Sequence, residues 1–344
     1  MIRFNNDYNR GAHPKILEAL ENTNTESYGG YGVDEWCRAA ADAIKNHLDC
    51  PQANVHFLVG GTQVNFTAIA SALRPYQGVI SAETGHIHAH ETGAVENSGH
   101  KILALPAANG KITAEQIAQQ ARLYRESPIR EHFVQPKLVY LSYPTEYGTV
   151  YSLAELEAIR AVCDEYGMYL FVDGARLAYG LAAQGADVTL PDLARLADMF
   201  YIGGTKCGAL FGEALVITNP ALQPDFRSYI KQNGAMLAKG WLLGLQFCTL
   251  FWDELYFELG RTAVAHAMTL KKAFAAKGIP FYIDSPTNQQ FVVLENRQME
   301  ALAEKYTFEP DHAIDENHTC VRFCTSWATS DAEIAALTED IKNL

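Results

Sequence analysis

An α/β fold built on a mainly parallel sheet is the class that three features of the sequence predict. Short apolar runs alternate with helix-patterned stretches from residue 55 to residue 206. Runs such as Met168–Val172 and Met199–Ile202 are apolar throughout, as expected of strands covered on both faces. Several runs end in glycines or an aspartate just before a helix, as in Val55–Val59 followed by Gly60-Gly61-Thr62. Beyond residue 250 shorter strands and helices alternate, as in a smaller α+β domain.

The elements follow in order. Residues 1–35 are rich in Asn, Gly and Tyr, with one short helix at Pro14–Glu21, where Pro14 suits a first helical turn. The loop Tyr28–Asp34 reads either as a plain turn or as a loop at a site or subunit contact, with Tyr31 at its centre. Helices are expected at Glu35–His47, from Thr62 to Leu73, at Thr113–Arg125 with a Thr113/Gln116 capping box, and at Ser152–Tyr166. Strands are expected at Gly78–Ser81, Lys101–Leu105, Leu138–Ser142 and Ala214–Thr218. Leu222–Trp252 reads as largely helical and Glu254–Lys277 as a long helix. The remainder holds strands at Phe281–Ile283, Phe291–Leu294 and Cys320–Thr325 and helices at Met299–Tyr306 and Asp331–Leu344. The domain join is placed near 250.

Composition narrows the class of function. The chain has 344 residues, 48% hydrophobic and 19% charged, as in a globular enzyme. A net charge of −13 argues against nucleic acid and anionic membranes as partners. No apolar run reaches the roughly 18 residues of a membrane span, and the first residues lack the apolar core of a secretion signal. Seven scattered cysteines without a C-x-x-C pair fit reduced thiols in the cytoplasm.

Chemistry concentrates between Tyr166 and Phe211. One strand ends on Asp173, with Arg176 in the following turn, and another ends in Gly203-Gly204-Thr205-Lys206. Open α/β sheets bind ligands beyond the carboxyl ends of their strands. A lysine after two glycines can be approached closely by a flat ligand, and an aspartate at a strand end can hold a protonated ring nitrogen. This is the equipment for pyridoxal phosphate (PLP): a Schiff-base lysine and an acid facing the pyridine nitrogen. The same residues also read as a helix-capping aspartate and a solvated lysine. The turn Gly60-Gly61-Thr62 offers free N–H groups to a phosphate, or is a glycine turn with Thr62 capping the helix. His86, His88, His90 and Glu91 have the spacing of metal ligands, but no second ligand cluster accompanies them, and a histidine against a planar cofactor or acting as a base is preferred.

In order along nearly the whole chain stand F-N-N-D-Y (4–8), G-G-Y-G-V-D (29–34), G-G-T-Q-V-N (60–65), G-H-I-H-A-H-E-T-G (85–93), P-T-E-Y-G (144–148), V-D-G-A-R (172–176), G-G-T-K (203–206), A-K-G-W (238–241) and V-R-F-C-T-S-W-A-T (321–329). In these motifs the sequence resembles the low-specificity threonine aldolases, in the β-eliminating-lyase branch of the aspartate-aminotransferase-like (fold type I) PLP enzymes. The resemblance implies a large domain over 1–250 with a mainly parallel seven-stranded sheet, and a small α+β domain over 251–344. It implies retro-aldol cleavage of threonine or allo-threonine to glycine and acetaldehyde. Lys206 would bond the cofactor, Asp173 face its ring nitrogen, and His86 stack on the ring and act as a base. Gly61, Thr62 and Gln63 would hold the phosphate. Arg176, Arg322, Asn6 and Tyr31 would serve the substrate side, Arg176 also the cofactor. Two positions depart from the family pattern: Asn6 stands where many relatives have Ser, and Glu146 where several have a His at the β-hydroxyl. Arginines that often reach a neighbouring subunit's phosphate are missing, leaving Lys231 or Lys239 for that role. A homodimer or homotetramer with shared sites, a cytoplasmic location, an amino-acid substrate and no metal complete the expectation. Its rivals are another fold type I enzyme (an aminotransferase or β-lyase) and a nucleotide-binding α/β protein.

Overall fold

The structure, a computed structural model, describes all residues 1–344. Thirteen strands run in chain order: β1 (Ile2–Arg3), β2 (Asn54–Leu58), β3 (Gln77–Ala82), β4 (Ile102–Leu105), β5 (Gln135–Ser142), β6 (Tyr169–Asp173), β7 (Met199–Gly203), β8 (Glu213–Ile217), β9 (Phe281–Ile283), β10 (Gln289–Glu295), β11 (Tyr306–Thr307), β12 (Glu309–Ala313) and β13 (His318–Cys324). Seven form one sheet in the order β2-β8-β7-β6-β5-β3-β4. Only β8 runs against its neighbours; the other pairings are parallel. All five residues of β7 are buried, as its unbroken apolar character predicts, and so are all six of β3, Gln77 and Ser81 included. Alternate side chains feed two cores. Val139, Val172 and Phe200 enter one, and Tyr140, Phe171 and Tyr201 the other, on the opposite face.

Helices cover both faces, and their ends follow from the sequence. Ala114–Glu126 and Leu153–Tyr166 start with the capping boxes Thr113/Gln116 and Ser152/Glu155, and the second stops at Gly167 in the left-handed region. Two expectations need correcting. Residues 222–252 are not one helical stretch: Phe226–Gln232 and Trp241–Trp252 are separate helices, parted by a turn around Gly234. Glu309–Ala313 is a strand that the sequence reading missed. It is exposed along its whole length, so it carries no apolar signature.

A second layer is the antiparallel sheet β12-β13-β10-β9, packed on the helices Leu255–Ala276 and Asp331–Lys342. The opening segment belongs with this layer: β1 pairs with β11 and Phe4 lies in the third core beside Phe323. The functional end of the large sheet is fixed by a backbone contact. Gly203 N–H donates to the Gly174 carbonyl at 3.0 Å, and a Cβ on Gly174 would sit 1.9 Å from the Tyr201 carbonyl oxygen. A side chain at 174 would therefore force β6 and β7 apart just where Asp173 and the lysine turn emerge. Gly174→Ala is expected to cost about 1–3 kcal/mol through overpacking, read as a lowered urea midpoint with an unchanged m-value.

Candidate active site

Five strands end at one place. Beyond the carboxyl ends of β2, β3, β5, β6 and β7 lies a cavity of about 230 Å³ lined by Gly61, Thr62, His86, Glu146, Asp173, Arg176 and Lys206. Seven residues singled out from the sequence thus meet in one cleft.

Asp173 ends β6 with its carboxylate fully engaged. Oδ2 accepts from Tyr140 Oη at 2.5 Å and Asn65 Nδ2 at 3.1 Å, and Oδ1 from the Ala175 N–H at 2.9 Å. Burial alone would raise its pKa. The charge of His86 and the hydrogen bonds of Tyr140, Tyr201 and Ala175 outweigh that and hold it below the usual carboxylate range. It is an anion at neutral pH, not a helix cap.

His86 opens the short helix His86–Ala89. Its Nδ1 meets Glu91 Oε1 at 2.7 Å, and Asn65 Nδ2 bridges that same oxygen at 2.8 Å. Burial would lower its pKa, but the Glu91 hydrogen bond and the Asp173 and Glu91 charges raise it above the ordinary value. Glu91 is thus an imidazole's partner, and the His86 and His90 rings lie 5.6 Å apart. Glu146 Oε1 accepts the His86 N–H at 2.8 Å and Ser142 Oγ at 2.5 Å, and burial raises its pKa. Lys206 is half-buried, and desolvation and the Arg176 charge hold its amine below the usual range, against the pull of Asp7, Asp173 and Glu213.

The helix Gly61–Ala72 points its start at the cavity. Gly60 is its N-cap with no side-chain hydrogen bond, so Thr62 does not cap it and the first N–H groups are left for a ligand. A Cβ on Gly61 would meet Tyr201 Oη at 2.9 Å, so glycine keeps this approach open. An anion-binding helix start, an aspartate at a strand end and a half-buried lysine in one cleft fit PLP.

Other expected residues lie elsewhere. Gln63 turns away, its Nε2 donating to the Asn233 carbonyl at 3.2 Å. Lys231 and Lys239 are exposed and Tyr31 is 48% exposed; all three stand outside the cavity, with Lys231 Nζ 5.0 Å from the Tyr31 ring centre. Asn6 Oδ1 accepts the Tyr8 N–H. Arg176 is committed to a partner the sequence reading did not assign: Nε and Nη2 grip Asp7 at 2.7 and 3.0 Å, and Asn288 Nδ2 adds a third donor at 2.9 Å. Arg322, outside the lining, makes no salt bridge. It donates to Gln289 Oε1 at 3.3 Å and the Asn5 carbonyl at 3.1 Å, and its Nε is buried without a partner. Gln289 in turn donates to the Glu146 carbonyl, linking Arg322 to the cavity wall. Besides Asp7, sequence reasoning missed Asn65 and Glu213. The only signal was a position inside a quoted motif for Asp7 and Asn65, and none for Glu213.

The family model for Beta-eliminating lyase matches residues 11–307. This chain belongs to the Beta-eliminating lyase family. A low specificity L-threonine aldolase of Pseudomonas sp. (strain NCIMB 10558) is 31% identical over 99% of this chain and 97% of its own. The Leishmania major threonine aldolase structure superposes with a TM-score of 0.97 at 46% identity, covering 100% of this chain and 99% of that one. Thermus thermophilus aspartate aminotransferase shares the fold at a TM-score of 0.73 and 14% identity, covering 100% and 91%. The lyase-family fold here is thus the aspartate-aminotransferase-like one.

The Asp7–Arg176 pair sets a test of the site's frame. Asp7 would have a raised pKa from burial alone, but the Arg176 and Lys206 charges and the Arg176 and Asn288 hydrogen bonds lower it. A depressed carboxylate stabilises the fold above its unfolded pKa and loses that contribution as pH falls through its folded one. Asp7→Asn strands a largely buried guanidinium and is expected to cost about 3–5 kcal/mol at neutral pH. The deficit should shrink in acid, as followed by denaturant unfolding at several pH values.

Proposed function

We propose that this chain is a PLP-dependent threonine aldolase, cleaving β-hydroxy-α-amino acids to glycine and an aldehyde. The observation that carries it is the meeting of Lys206 and Asp173 at adjoining strand ends, facing an open helix start at Gly61, in a chain so similar in full to threonine aldolases. Lys206 would hold the cofactor, Asp173 keep a proton on its ring nitrogen, and the N–H groups at Gly61 and Thr62 take the phosphate. When bound, PLP supplies an electron sink for the bonding pair released as Cα–Cβ breaks.

The chain's own residues do the rest. Arg322 has no acid partner and a buried Nε–H without one, so its fork has capacity for an α-carboxylate, whereas that of Arg176 is filled by Asp7. A carboxylate gripped at two points fixes rotation about N–Cα and so selects which bond at Cα is aligned for cleavage. His86, held by Glu91, accepts the β-hydroxyl proton in its neutral form. Glu146, seated on Ser142 and the His86 N–H, stands where it can contact the hydroxyl side of the substrate. The reading extends to a cytoplasmic homodimer or homotetramer, in which exposed Tyr31 and Lys231 serve a second copy's site.

Incubation with L-threonine tests the reaction: glycine and acetaldehyde should form in equal amounts, and a keto acid instead would point to an aminotransferase. Lys206→Ala should stay folded and form no glycine. Arg322→Lys should still turn yellow with PLP yet lose about 2–5 kcal/mol of threonine binding, read as a raised KM. A variant binding threonine like wild type would remove Arg322 from the substrate site.

A further inference from the structure

Lys206 is half-buried in the cavity without a salt bridge, and the charged groups around it come from separate elements. Asp7 from the opening segment is filled by Arg176 and Asn288. Asp173 from β6 is filled by Tyr140, Asn65 and the Ala175 N–H. His86 faces it as a further cation from beyond β3. Glu146, two strands away after β5, is taken by Ser142 and the His86 N–H.

Glu213 differs from all of these. It opens β8, where its sheet partners are Gly203 on one side and Leu58 on the other. It therefore stands between the lysine turn and the glycine turn of the helix Gly61–Ala72. It is 4% exposed and lines the cavity. One oxygen accepts the Gly204 N–H at 3.0 Å, and no cation is bonded to it. A buried carboxylate without a cation is costly unless it is protonated or a cation lies in reach. Of the basic groups lining the same cavity, Arg176 is engaged by Asp7 and His86 by Glu91, which leaves Lys206. Burial pushes Glu213 up to about 8, with Thr205, Lys206 and Gly204 opposing and Asp173 assisting.

We propose that Glu213 is the proton partner of Lys206, carrying the proton as a carboxylic acid when the Lys206 nitrogen is neutral and standing as the carboxylate when that nitrogen is positive. The proposal rests on reading Lys206 as the cofactor-binding lysine. In the transfer the O–H bond of Glu213 breaks and an N–H bond on Lys206 forms. No electrons change hands and the charge of the cavity stays constant. An amino acid arrives as an ammonium ion and must shed one proton before its nitrogen can form a bond. The Glu213 carboxylate takes that proton, and the Lys206 amine collects it on release. Solvent need not enter.

The test follows Lys206 directly. Acetylation of the Lys206 peptide in the ligand-free full chain is measured by mass spectrometry across pH, in wild type, Glu213→Gln and Glu213→Asp. Gln keeps an acceptor for the Gly204 N–H but removes the anion. The midpoint for Lys206 should fall by about one pH unit, a tenfold gain in labelling rate below the midpoint, and Asp should give a smaller fall. The visible band of the PLP-loaded chain should shift its pH midpoint in the same direction. A Gln variant with native circular dichroism and the wild-type Lys206 midpoint overturns the proposal. Should that variant not fold, the Asp variant decides alone, because its carboxyl retreats by one methylene. An unchanged midpoint there overturns the proposal equally. A wild type that shows no visible band with PLP sinks the cofactor reading, while the labelling shift still reports on Glu213.

Discussion

Charge taken out of water at the carboxyl edge of the large sheet is the constraint on which the rest of this structure depends. Asp7, Glu91, Asp173 and Glu213 are all buried there, beside Arg176 and Lys206. Each must be answered by hydrogen bonds or an opposite charge. The answers come from far apart in the chain: Asn65 joins Glu91 to Asp173, Asp7 reaches across to Arg176, and Asn288 from the second layer seals Asp7. The backbone contact between Gly174 and Gly203 holds two strand ends at the spacing these bonds require.

That origin explains what could be read from the sequence. Lys206 and Asp173 were legible because each closes an apolar run and stands beside glycines, a local pattern with a local cause. The seven-stranded sheet was legible for the same reason. Asp7, Asn65 and Glu213 were not, since their importance lies in partners that no spacing along the chain reveals. Arg176 shows the same limit from the other side: its position was read, and its prior engagement by Asp7 was not. The strand Glu309–Ala313 escaped because every one of its residues faces solvent. Lys231 and Lys239 were named by family pattern, and in a single copy of the chain they lie on the outer surface.

Two arginines with similar surroundings therefore differ in what they offer. The bidentate hold on Asp7 makes Arg176 a strut between the opening segment and β6. Arg322, between buried Val321 and Phe323, keeps neutral partners only, and its link through Gln289 to Glu146 ties the antiparallel sheet to the cavity wall. Ligand recognition would thus depend on how the second layer sits against the first.

The pairing of β1 with β11 bears on the order of assembly. Residues 2–7 leave the ribosome long before Tyr306 and Thr307 exist to pair with them, and before Asn288 can seal Asp7. The large sheet can gather as soon as β8 is made, but the pocket's frame cannot close until most of the chain is out. Contacts of such long separation form late and slowly. The nascent protein therefore carries Asp7 and Phe4 without their final partners, so this enzyme becomes competent only once Asn288, Tyr306 and Phe323 have been made.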